Sequence, residues 1–95
     1  MHETGIVRDM VRRIESAARE AGAERIARVS VRLGALSQFT EAHFRIHFDE
    51  DVAGTLAEGA VLVIETAEDP LDPHAQDVLI QSVDLVMPDE IPPGG

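Results

Sequence analysis

The chain contains no cysteine, lysine, tryptophan or tyrosine, and each absence narrows what it can be. Without cysteine it has neither a disulfide framework nor a thiolate metal site. Without tryptophan and tyrosine, three phenylalanines carry the aromatic packing. No apolar run is long enough to span a bilayer, and the amino terminus has no signal-peptide pattern, so the expectation is a cytoplasmic protein with no membrane partner. At 95 residues the chain can build one modest core and not two.

What is present is unevenly charged. All eight arginines lie at or before Arg45, against six acids, which gives that half +2; beyond it stand twelve acids and no arginine. Such an acidic surface argues against nucleic acid, whose binders need a basic face. It can attract cations or a basic protein patch, or serve only solubility.

Hydrophobic periodicity outlines the elements. Ile6, Val7, Met10, Val11, Ile14, Ala17, Ala18 and Ala21 recur at helical spacing. A first helix is therefore expected over residues 5–21, with Thr4 as its N-cap and Gly22 at its left-handed end. Residues 25–33 alternate, with Val29, Val31 and Leu33 against Arg28, Ser30 and Arg32, the pattern of a half-buried strand. After a loop at Gly34 and Ser37, Phe44, Phe48 and Val52 stand at i, i+4 and i+8 and predict a second helix from residue 40 or 41 to residue 53. A second strand is expected at 60–66 and a third at 77–87, where Val83, Leu85 and Met87 alternate with Ser82, Asp84 and Val86. Asp69-Pro70 and Asp72-Pro73 turn the chain between them. The implied fold is α+β: two helices packed on one face of a three-stranded sheet, in the order helix-strand-helix-strand-strand. Residues 1–90 form one domain in this reading, and 91–95 a disordered tail.

Chemistry points first to Met1-His2-Glu3. A free amine beside a histidine is a chelator, because the Met1 amine, the His2 backbone nitrogen and the His2 imidazole can close fused rings on one divalent metal. A flat set of nitrogens favours nickel(II) or copper(II). Against this stands the plainer reading of His2 as a polar residue on a frayed terminus. His43 and His47, at i and i+4 on the second helix, form a second candidate, since that spacing can bring both rings to one ion. They also flank Phe44 and Phe48, which suits ordinary edge-of-core or surface histidines. His74 lies in the proline-containing loop near Asp72 and Asp77, either solvated or reaching the terminal site as a fourth ligand. The acidic run Asp49-Glu50-Asp51 reads as a solvated helix end, although the macrodipole disfavours acids there. Nothing supports catalysis, for there is no cysteine nucleophile, Gly-rich phosphate loop or serine in an activating context.

Several stretches taken together resemble the HypA family of nickel metallochaperones for [NiFe]-hydrogenase maturation. They are Met1-His2-Glu3 opening a helix, Leu33-Gly34-Ala35-Leu36-Ser37 after the first strand, and Gly54-Thr55 with Ala57-Glu58-Gly59-Ala60 leading into Leu62-Val63-Ile64-Glu65. Val78 to Leu85 resembles the family's closing strand. The resemblance implies nickel(II) held by Met1 through its amine, by His2 through backbone and imidazole, and by Glu3 through its backbone nitrogen, with help from its carboxylate. It also implies a HypB-like GTPase and a hydrogenase large-subunit precursor as partners, with the first helix as the GTPase-binding candidate. One departure is large: the family's zinc domain, built on two Cys-x-x-Cys pairs, is replaced by a short loop, so no structural zinc is expected. That loss leaves open a second function, a HypA-derived adaptor module that no longer carries metal.

Overall fold

The computed structural model describes residues 3–88, the side chains of Glu3 and Thr4 excepted; Met1, His2 and the expected tail at 91–95 lie outside the described residues. Its elements are α1 (Glu3–Glu20), β1 (Arg25–Leu33), α2 (Glu41–Asp51), β2 (Val61–Thr66) and β3 (Val78–Val86), in the expected order.

The apolar stripe of α1 is the inward one. Val7, Met10, Val11, Ile14 and Ala18 are buried, while Ile6, Ala17 and Ala21 of the expected set are exposed. The helix ends on Gly22 at φ +78°. There the Ala23 N–H reaches the Ala18 carbonyl at 2.9 Å and the Gly22 N–H that of Arg19 at 3.0 Å. This is the paired closure that satisfies the last carbonyls when glycine takes the left-handed position. At the other end α1 opens at Glu3 rather than at residue 5. Thr4 thus sits inside the first turn, two residues past the cap position.

β1 is the middle strand of the sheet β2-β1-β3. It pairs parallel with β2, Val29 opposite Leu62, and antiparallel with β3, Val29 opposite Val83. The alternation read in β1 holds: Val29, Val31 and Leu33 are buried. On the helix side they meet Phe44 and Phe48 of α2, Val52 at its C-cap and the inner stripe of α1 in one core. Burying an aromatic ring fully is worth about 1.5–3 kcal/mol, so the two fully buried phenylalanines anchor this layer. The other sheet face carries Arg28 and Arg32, paired with Asp84 at 3.4 Å and Glu65 at 3.5 Å.

The short connection between β2 and β3 is an ordered turn system. The Asp69 and Asp72 carboxylates accept from the backbone N–H groups of Leu71 (2.9 Å) and His74 (2.7 Å). Its far end docks on the turn after β1, where Gly34 N–H donates to the Asp77 carbonyl (2.9 Å) and Leu36 N–H to that of Ala75 (2.6 Å). A methyl group on Gly34 would fall on the backbone carbonyl of Ala75. Glycine is needed here for close approach of two backbones.

Candidate metal centre

Of the terminal triplet, only the backbone of Glu3 is described, as the first residue of α1. Its position has chemical consequences. The first four N–H groups of a helix have no partner within it, so the amide nitrogen of Glu3 can bind elsewhere at no cost to α1. The same end carries the positive pole of the helix dipole, which stabilises negative charge by about 0.3–1 kcal/mol.

α2 is built from its cap upward. Thr40 adopts an extended backbone and its hydroxyl accepts the His43 N–H at 3.1 Å. One turn further on, the rings of His43 and His47 lie with centroids 4.6 Å apart, and their Nε2 atoms face each other at 2.9 Å. Phe39 packs tilted against the His43 ring at 6.2 Å and edge-on against Phe44 at 5.3 Å, which ties this corner to the core. The His47 Nδ1 is buried without a hydrogen-bond partner among the described residues, its closest carboxylate being Glu50 Oε1 at 3.7 Å. The neighbouring turn holds Asp51, whose carboxylate lies 3.9 Å from the Arg8 guanidinium of α1. That arginine offsets part of the unfavourable charge at the end of α2, which has no basic residue of its own in its last turn.

His74 belongs elsewhere. It is exposed on the β2–β3 connection, with Nδ1 2.9 Å from Asp77 Oδ2. Among the described residues no three histidine or carboxylate side chains converge on one point. The structure thus brings His43 and His47 together and leaves His74 with its own loop. The Glu15 carboxylate accepts the Leu56 N–H at 2.8 Å across 41 positions, a tie that the sequence does not mark. No local pattern announces a partner that distant.

Three comparisons bear on this arrangement. A family profile described as "Hydrogenase/urease nickel incorporation, metallochaperone, hypA" matches residues 1–72. Over 65 residues, 68% of its length, the chain is 42% identical to the hydrogenase maturation factor HypA of Chlorobium limicola. It is 41% identical over 76 residues to that of Roseiflexus sp.. The matched parts cover 56% and 60% of those two proteins, so the chain corresponds to less than two thirds of their length. The solution structure of the nickel metallochaperone HypA from Helicobacter pylori superimposes with a TM-score of 0.77, covering 93% of this chain and all of that one. At 19% identity that likeness carries the fold alone.

Proposed function

Because this chain belongs to the HypA family of nickel-incorporation metallochaperones, we propose that it binds nickel(II) at its amino end and delivers it for maturation of a [NiFe]-hydrogenase. The Met1 amine, the His2 backbone nitrogen and imidazole, and the Glu3 backbone nitrogen are the ligands in this reading. The observation that carries it is the start of α1 at Glu3. The chelating residues then run straight into a rigid element, and the Glu3 nitrogen is one of the helix's unpaired donors. Amide nitrogens that lose their protons to bind nickel become anionic, and the positive helix end favours that charge. Acid returns those protons, so release on acidification comes with the ligand set. The Glu3 carboxylate serves as a further ligand or as an acceptor orienting His2.

The role is carriage, not catalysis. A HypB-like GTPase and the hydrogenase large-subunit precursor are the partners this reading implies, in the cytoplasm. Among the described residues no helix is long and apolar enough to cross a membrane. A competing reading, an adaptor that no longer carries metal, draws on the absence of cysteine, which rules out a four-thiolate zinc domain within these 95 residues.

Nickel titration of the chain with a native, untagged terminus, beside His2→Ala, tests the proposal. Nickel bound with the visible band of planar, amide-ligated metal, a band absent in His2→Ala, is the expected result. A native chain that develops no such band overturns it in favour of the adaptor.

A further inference from the structure

We infer that His43 and His47 form a second metal-binding element, a pair of imidazoles that closes on one divalent ion in adjacent coordination positions. The inference does not rest on the amino-terminal nickel site. Their spacing puts both rings on one face of α2, one turn apart. Spacing alone leaves the rings free to point anywhere, but here they do not diverge. Their Nε2 atoms, the nitrogens a metal would take, face each other at 2.9 Å.

That separation selects a geometry. With metal–nitrogen bonds of about 2.0–2.1 Å, two nitrogens 2.9 Å apart subtend about 90° at the ion. A tetrahedral angle would need them about 3.4 Å apart at the same bond length. The pair therefore suits neighbouring corners of a square-planar or octahedral ion, such as nickel(II) or copper(II), better than tetrahedral zinc.

Without metal, the same contact is one hydrogen bond, from the protonated Nε2 of one ring to the lone pair of the other. It holds the ligands close to their binding positions, which lowers the ordering cost of capture. Binding requires both Nε2 lone pairs, so the donor ring must carry its proton on Nδ1 instead. For His47 an acceptor is at hand. Its Nδ1 is buried and unpartnered among the described residues, and Glu50 Oε1, 3.7 Å away, needs only a small side-chain adjustment to accept that proton. A carboxylate behind a ligating imidazole is the usual way to fix its tautomer and raise its basicity.

The position in the fold adds to this. Arg8 of α1 meets Asp51 in the last turn of α2, and Glu15 meets Leu56 beyond it, so the two helices run in the same direction. Stepping back one turn from each of Arg8 and Asp51 sets His47 beside the first turn of α1. The remaining coordination positions fall to water, because no third ligand-type side chain converges on the pair among the described residues. Acidic residues at the end of α2, Asp49, Glu50 and Asp51, favour the approach of a cation.

The test is titration with copper(II) and nickel(II) in a His2→Ala background, which removes the terminal chelate and separates the two sites. His2→Ala should still bind about one equivalent, and its unfolding temperature should rise with added metal. Adding His43→Gln or His47→Gln should weaken binding at least about tenfold, since loss of a ligand matters no less than loss of the supporting groups behind it. Substoichiometric copper(II) should broaden the ring proton signals of His43 and His47 before those of His74. Circular dichroism of the metal-free variants checks the fold, and exposed His43 provides a variant that leaves the core untouched. No binding by His2→Ala, binding indifferent to both glutamines, or broadening that begins at His74 would each overturn the inference.

Discussion

The Glu15 carboxylate of α1 accepts the backbone N–H of Leu56 at 2.8 Å, and the carbonyl of the same Leu56 accepts the N–H of Ile26 on β1 at 2.8 Å. One residue beyond α2 is therefore held from both sides, by a helix and by the central strand. The Glu15 side chain is only 21% exposed, so its bond is partly shielded from water. Hydrogen bonds to charged groups contribute about 1.5–3 kcal/mol in such settings. Glu15→Ala is expected to cost about that much in urea denaturation, and Glu15→Gln to recover part of it, since an amide oxygen still accepts. A cost below about 0.5 kcal/mol, the range of ordinary surface changes, would mean that the tie adds nothing.

How far such features can be read from sequence depends on how local their causes are. The stripe of Phe44, Phe48 and Val52 and the alternation of Val29, Val31 and Leu33 were legible because burial imposes a short period on the chain. Both sets are buried as read. The start of α1 was not. Thr4 and Thr40 have the same capping chemistry, yet Thr4 lies within its helix, whereas Thr40 lies just before its own and caps it. Strand order was likewise hidden. That β1 lies in the middle, parallel to one neighbour and antiparallel to the other, follows from pairings between distant segments. For the histidines, spacing placed His43 and His47 on one face, but the approach of their Nε2 atoms depends on side-chain rotation, which spacing leaves undetermined.

Gly34 is where the short β2–β3 connection meets the rest of the fold. Its N–H holds the Asp77 carbonyl, and the space a Cβ would need is filled by the Ala75 carbonyl. Backbone cannot swing aside as a flexible side chain can, so Gly34→Ala must push the connection away from the turn after β1. Overpacking of this kind costs about 1–3 kcal/mol. The expected outcome is a lower unfolding midpoint, with faster amide exchange at Leu36 and Gly34 as the docked hydrogen bonds open. Gly5→Ala is the control: among the described residues nothing lies within 4 Å of a Cβ there, so no clash is expected. Equal stability of Gly34→Ala and the unmodified chain would show that the connection yields without cost.

Thr40 links the stability of α2 to the histidine pair. Its hydroxyl accepts the His43 N–H at 3.1 Å, and the Phe44 N–H donates to its carbonyl at 3.0 Å, so the residue that closes the first turn also fixes the backbone carrying His43. Losing a threonine cap costs about 1 kcal/mol. Thr40→Ala should therefore destabilise the fold by that amount and let the first turn fray. The fraying moves His43 relative to His47, which sits one turn deeper beside buried Phe48. In the His2→Ala background, copper(II) affinity should then fall severalfold, while Thr40→Asp, which caps equally well, should restore both properties. If Thr40→Ala lowers stability but leaves metal affinity unchanged, the pair owes its geometry to the deeper turns of α2 and to the packing of Phe39 rather than to the cap.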